Sequence, residues 1–182
     1  MAWAVLWVAQ GLLDEPQKPA DTEQLLRAIA DRRLRHRVRR LLADAHPAER
    51  WEQWLASRAG RRRLWVHPGV LNRLAADERL RPGGGFAAAA QGVGIAASQP
   101  RRFYIDAELL DAVLVDYHAQ DDPEGPVELM VIPSGVPDGV RIPAGRPVPV
   151  AVALADLLES NDARERHAAA ERLEKLRLAG PA

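Results

Sequence analysis

Apolar residues in the first third of the chain recur at three- and four-residue steps, the spacing typical of amphipathic helices. A capping box that begins at Asp21 predicts the start of a helical segment that extends to residue 45. The polar run 31–33 interrupts this segment, which favours two helices; the alternative is one long helix with an exposed bend. A further helix is predicted from an apolar stripe made of Trp51, Trp54 and Leu55.

The sequence changes character after these helices. Residues 61–66 form a short β-prone run with a basic start, and Pro68 and Gly69 predict a turn before another short helix. Three helices, a basic strand and turn, and a short helix over residues 21–75 have the outline of a winged helix-turn-helix. In that architecture one helix enters the major groove and a hairpin wing contacts the phosphates.

The second half of the chain alternates predicted strands and helices. Strands are predicted at 102–105 and 127–132, and Asp106 has the position of a cap for the helix that follows the first of them. Two further helices are predicted, at 150–159 and from Asp162 onward. At the other end, residues 3–13 are apolar enough for either a buried helix or a buried strand.

A glycine run at residues 83–85 predicts a flexible break and hence a domain boundary. We therefore predict an α+β protein made of two modules. Residues 1–80 would form a basic, helical, winged-helix-like module, and residues 86–182 an acidic module in which helices cover a small sheet.

Charge is distributed very unevenly along a chain whose formal net charge is zero. Residues 27–73 hold thirteen arginines and four acidic residues, a net charge of +9. Such an asymmetry indicates a polyanion or an acidic partner surface. Only Lys18 and Lys175 are lysines, which indicates a coding bias toward arginine, so the positions of the arginines carry more information than their identity.

The composition excludes several classes of protein. The chain has no cysteine, which rules out a disulfide framework, a thiolate nucleophile and cysteine-ligated metal. Its apolar start has no preceding basic residue and meets Gln10 too early for a membrane span. We expect a cytoplasmic protein that does not enter the membrane.

The candidate binding residues lie within the basic region. Arginines on an exposed helix face or strand neutralise phosphates and release counterions, and a tryptophan beside them can stack on a base. The residues predicted to bind nucleic acid are Arg35, Arg39, Arg40, Arg61, Arg62, Arg63 and Trp65. Two alternatives stay open: an acidic protein partner, which includes the acidic half of this chain, and a solvated face with no partner.

Catalytic chemistry is not indicated. The histidines lack HExxH spacing, the serines lie outside a nucleophile elbow, and glycines 83–85 lack the lysine of a P-loop. His118 with Asp121 and Asp122 has the composition of a metal site, but a solvated loop is the favoured explanation of these residues. We expect a non-enzymatic protein with no cofactor and no metal.

Several segments between residues 60 and 175 resemble, in order and character, actinobacterial winged-helix regulators. They are LWVHPGVL (64–71), RFYID (102–106), VELMV (127–131), VALADLLES (152–160) and DAR (162–164). In particular the chain is similar to AbiEi-like antitoxins, which accompany nucleotidyltransferase toxins. The resemblance implies a DNA-binding N-terminal part that represses its own promoter and a C-terminal part that counters a cognate toxin or assists repression. The first sixty residues depart from that pattern in their arginine content.

Overall fold

The computed structural model describes residues 2–14, 26–27, 29, 31–42, 51, 55–56, 58–96, 101–134, 136, 142 and 145–178. The chain divides into two compact units. Met1–Arg58 and Val150–Ala182 make up the first, here called the helical unit, and Ala59–Pro149 make up the second, the sheet unit. This division differs from the predicted modules, because both ends of the chain belong to one unit.

The elements follow one another as a mixture of helices and strands, so the predicted α+β class is confirmed. The helices are α1 (Ala2–Asp14), α2 (Arg32–Leu42), α3 (Leu71–Ala75), α4 (Gly84–Ala90), α5 (Leu110–Asp116), α6 (Val150–Leu158) and α7 (Ala163–Leu178). The strands are β1 (Gly60–Trp65), β2 (Arg81–Pro82), β3 (Arg102–Asp106), β4 (Gln120–Asp121) and β5 (Val127–Ile132).

The helical unit packs α1 against α6, and α6 against α7. The run 3–13, for which the sequence allowed a helix or a strand, is helical, and Val5, Leu6 and Val8 on α1 are buried. All nine residues of α6 are buried. The side chain of Gln10 accepts a hydrogen bond of 3.0 Å from the Ala151 N–H, which caps a donor that the first turn of α6 cannot satisfy itself. Within the described residues, no helix is long and apolar enough to cross a bilayer.

The sheet unit contains a five-stranded sheet of order β2-β3-β5-β1-β4. β3 and β5 are parallel, with α5 between them in sequence, and the other pairs are antiparallel. β1 pairs with β5 from Gly60 opposite Val131 to Leu64 opposite Val127. A parallel pair requires a crossover connection, which is the role of the segment that contains α5.

One face of the sheet carries the core of the sheet unit. Leu64 on β1, Phe103 and Ile105 on β3, and Val127 and Leu129 on β5 are buried together. Alternate residues of a strand point to opposite faces, so the register places all five on the same side. The same core includes residues from the helices and connections, namely Val66, Leu74, Leu80, Val113 and Tyr117.

The structure differs from the sequence predictions at two places in the sheet unit. The basic strand β1 does not form a local hairpin: its partners are β4 and β5, which lie far along the chain. The glycine run, predicted to be a flexible break, is part of the fold. Gly83 is buried, its N–H donates to the Arg102 carbonyl at 2.8 Å, and α4 begins at the next residue.

Candidate nucleic-acid interface

α2 begins directly after Asp31, whose side chain caps the first turn of the helix. Oδ1 of Asp31 accepts hydrogen bonds from the backbone N–H groups of Arg33, at 2.7 Å, and Leu34, at 3.1 Å. These two hydrogen bonds lower the pKa of Asp31 below its ordinary value, and the Leu34 N–H has the larger effect. A break between two helical stretches is present, since Arg27 is helical while Ile29 and Asp31 are not, but it ends at Asp31, and Arg32 and Arg33 of the predicted run 31–33 belong to α2. The predicted capping box at Asp21 lies outside the described residues.

Most of the surface of α2 is cationic. Val38 is fully buried and Leu34 partly buried, which defines the inward side of the helix. The exposed residues are Arg32, Arg33, His36, Arg37, Arg39 and Arg40. Positions three and four apart are neighbours on a helix surface, so these residues form one continuous face, about 16 Å long for eleven residues.

The arginines of α2 have different environments. Arg35 is partly buried, and its Nε and Nη2 donate to the Ile29 carbonyl at 3.1 and 2.8 Å, so its guanidinium stabilises the turn before the helix. Arg39 and Arg40, the other two predicted binding residues on this helix, are exposed. Three further exposed arginines were not among the predicted residues: Arg32, Arg33 and Arg37. The spacing of Leu34 and Val38 is the sequence signal that would have placed them, because it sets which positions face outward.

The sequence of α2 itself supplies no carboxylate to its exposed arginines. No acidic residue occurs between Arg32 and Leu42. Within the described part of the chain, Arg32, Arg33, Arg37 and Arg40 take part in no salt bridge. Like charges four apart on a helix destabilise it by roughly 0.2–0.5 kcal/mol per pair. Repulsion between these arginines therefore destabilises α2 slightly.

The second set of predicted residues lies on β1, where alternation separates neighbouring arginines. Arg62 shares a face with Leu64, and its guanidinium forms a two-point contact with Asp121 through Nε–Oδ1, at 2.9 Å, and Nη2–Oδ2. This guanidinium is the main reason that the pKa of Asp121 lies below its ordinary value. The same contact raises the pKa of Arg62, so this arginine stays charged and paired.

Arg61, Arg63 and Trp65 point to the opposite face of β1. Arg61 Nε lies 3.0 Å from Glu128 Oε1, and Arg102 Nε lies 2.6 Å from the other oxygen of the same carboxylate. Arg63 is exposed and donates a long hydrogen bond of 3.4 Å to the Pro123 carbonyl. Trp65 is 44% exposed. The seven predicted residues therefore form two sets, one in each unit.

A buried arginine in the helical unit was not predicted to be special. Arg58 has a fully buried side chain. Its Nη2 lies 2.5 Å from Asp156 Oδ1, and its Nη1 contacts Glu159 and donates to the Leu55 carbonyl at 2.8 Å. Trp3 Nε1 donates to the Arg58 carbonyl at 2.7 Å. This cluster joins parts of the chain about a hundred residues apart, and the charges of Arg58 and Asp156 are inaccessible to a ligand.

The two carboxylates considered for metal binding, those of Asp121 and Asp122, accept hydrogen bonds from the protein itself. Asp121 is paired with Arg62, and Asp122 Oδ1 accepts a hydrogen bond of 2.9 Å from the Glu124 N–H. His118 is exposed and takes a left-handed backbone conformation, with φ of 48°, just after α5. Over the ranges that the structure describes, no group of three or more His, Asp or Glu side chains could hold a metal ion.

Comparison of the chain with protein-family models, with curated proteins and with solved structures gives no match.

Proposed function

We propose that this protein is a non-enzymatic regulator that binds duplex DNA through the exposed face of α2. Its contacts to the phosphates are made by Arg32, Arg33, Arg37, Arg39 and Arg40. The observation that supports this proposal is the exposure of five arginines on one helix that contains no acidic residue.

The dimensions and charge of α2 suit this role. An α-helix with side chains is about 10–12 Å wide, which the B-DNA major groove of about 12 Å admits. Each phosphate neutralised by a guanidinium releases condensed counterions, which makes binding favourable and strongly dependent on salt. Binding also relieves the repulsion between the arginines themselves.

The regulatory part of the proposal rests on the resemblance to AbiEi-like antitoxins. In a protein of that kind a winged-helix part represses its own promoter, and the remainder counters a cognate toxin. Here α2 is the helix we propose to lie on the DNA. The strand β1 pairs within the sheet unit, so we assign it no wing function.

A protein partner with an acidic surface is the rival explanation of the same face. Both partners would bind more weakly at high salt, but only DNA binding follows the salt dependence of counterion release from a duplex. The rival gains support if the chain fails to bind duplex DNA at low salt.

The test measures duplex affinity by fluorescence anisotropy between about 50 and about 200 mM salt. The double variant Arg33→Gln/Arg37→Gln removes two charges from α2. The control Arg164→Gln/Arg172→Gln removes two exposed charges from α7 in the same unit. We expect the α2 variant to bind more weakly and its salt slope to fall by about 0.9 per lost contact, while the control matches the wild type. An α2 variant with wild-type affinity and slope would overturn the proposal.

A further inference from the structure

The outer face of β1, opposite the core of the sheet unit, combines positive charge with an exposed aromatic ring. Leu64 is 2% exposed and defines the core side, so Arg61, Arg63 and Trp65 project from the other side. Successive side chains on one face of a strand are about 6.6–6.8 Å apart. The three residues therefore form a row of two guanidinium groups followed by an indole.

The neighbouring strands shape the surroundings of this row. Gln120 on β4 is directly opposite Trp65 and is exposed, so an amide lies beside the ring on the same face. Glu128 on β5 is directly opposite Arg63, but its two oxygens are bound by Arg61 and Arg102. The one acid of β5 on this face is thus shared between two cations, and the positive charge of Arg63 is not offset by it.

We propose that this outer face of β1 binds a single-stranded polynucleotide. A base stacks on Trp65, the Gln120 amide contacts the edge of that base, and the Arg63 guanidinium contacts the adjoining phosphate. Each base stacked on an aromatic ring contributes to binding irrespective of sequence, and a cation beside the ring attracts the backbone. This site is separate from α2 and does not depend on the duplex proposal.

A single strand fits this face better than a duplex or an acidic peptide. In a duplex the bases are stacked on one another, so the Trp65 ring has no exposed base to contact. An acidic peptide would use the guanidinium groups but would leave the indole without a stacking partner. Only an unpaired base supplies both a flat apolar surface and an adjoining phosphate.

The test measures the binding of labelled single strands of about 12 nucleotides, one of deoxythymidine and one of uridine, to the full chain by anisotropy. The variants are Trp65→Ala, Trp65→Leu and Arg63→Gln. Arg62→Gln is the matched control, because it removes the same charge from the same strand on the opposite face. Polyglutamate serves as a competitor that supplies charge without bases, and circular dichroism confirms that each variant is folded.

We expect Trp65→Ala and Trp65→Leu to lower single-strand affinity roughly 5- to 150-fold. Arg63→Gln should lower the salt slope by about 0.7, whereas Arg62→Gln leaves affinity and slope unchanged. Polyglutamate should compete poorly. Binding of either strand supports the proposal, and the ratio of the two affinities shows whether DNA or RNA is preferred.

Three results would overturn this proposal: no binding of either strand at low salt, wild-type affinity of both Trp65 variants, or an equal loss in Arg62→Gln and Arg63→Gln. The α2 variant Arg33→Gln/Arg37→Gln separates the two proposals. We expect it to lose duplex affinity and keep single-strand affinity. If it loses both, the single strand binds α2, and the outer face of β1 is not the site.

Discussion

α2 and β1 both contain consecutive arginines, and the fold gives them opposite environments. On α2, five arginines are exposed along a helix without an acidic residue. On β1, Arg61 contacts Glu128 and Arg62 contacts Asp121, so two of three arginines bind carboxylates supplied by distant parts of the same unit. A count of charges treats these segments alike. The difference teaches that the partners of each arginine, rather than their number, decide where a polyanion can bind.

The largest effect expected from changing one arginine is at Arg58, whose guanidinium is buried with Asp156 and Glu159. Arg58→Met leaves buried carboxylates without a counter-charge and should lower the free energy of unfolding by about 3–5 kcal/mol. Urea denaturation measures this. Replacing all three residues with apolar ones should restore much of the loss, since an apolar cluster needs no counter-charge. A loss below about 1 kcal/mol in the single variant would show that the cluster is not important for stability.

The second prediction concerns how β1 is held in place. A Cβ at Gly125 would overlap the carbonyl group of Leu64 and lie 2.7 Å from the Trp65 N, so the 122–125 turn can approach β1 only with glycine there. Gly125→Ala should cost about 1–3 kcal/mol of unfolding free energy, because backbone must move to remove the overlap. Gly60→Ala is the control on the same strand, since its Cβ would lie 3.8 Å from Val131 Cβ, an ordinary contact. Equal melting temperatures for the two variants would contradict this account.

The third prediction distinguishes the two basic segments by pH. Arg62 is the main cause of the low pKa of Asp121, so Arg62→Gln should raise that pKa toward its ordinary value. Asp31 near α2 has a pKa lowered chiefly by backbone N–H groups, so Arg37→Gln should change it little. Carbon-detected NMR titration of the carboxyl groups measures both.

The sign of the accompanying stability effect follows from the direction of the shift. Because the pKa of Asp121 is lower in the folded chain, the Arg62 contact stabilises the fold above the unfolded pKa of about 3.9. That contribution is lost as the pH falls through the lower, folded value. Wild type and Arg62→Gln should therefore differ at neutral pH and converge in acid. A difference that persists or grows in acid would contradict the pairing.

The smallest effect is expected on α2 itself. Arg37→Gln removes the repulsion of Arg37 with Arg33 and Arg40. It should therefore raise the free energy of unfolding, by no more than about 0.5 kcal/mol. The gain should fade as added salt screens the charges. A clear loss of stability at low salt would mean that Arg37 has a structural role, which would weaken the contrast between α2 and β1.

The sequence predicted where helices and strands form better than it predicted which strands pair with each other. Helical periodicity and the run 31–33 anticipated α2, and the β-prone residues anticipated β1 and β5. Their pairing was missed because β1 and β5 are more than sixty residues apart, and no local pattern records which distant strands meet. The glycine run 83–85 was interpreted as a flexible break because no local pattern shows that the Gly83 N–H donates to the distant Arg102 carbonyl. Gly84 has φ of +57°, a conformation that favours glycine, and it begins α4 inside the sheet unit.

The candidate site was predictable only in part. The excess of arginine between residues 27 and 73 identified the region that contains α2 and β1, and the exposure of Arg39 and Arg40 agrees with their predicted surface position. Sequence could not show that Arg35 would bind the Ile29 carbonyl or that Asp121 would pair with Arg62, because both depend on tertiary positions. Strand alternation, by contrast, is local, and it would have separated Arg62 from Arg61 and Arg63.

The helical unit is assembled from segments on both sides of the sheet unit in the sequence. During translation, residues 59–149 are synthesised before α6 and α7. The sheet unit therefore has all of its strands and can fold first, as domains generally do once complete. The apolar residues of α1 must wait for α6, the fully buried helix that packs against them. A chain released after residue 149 would thus expose the apolar residues of α1 to chaperones, although the strands β1 to β5 are all present.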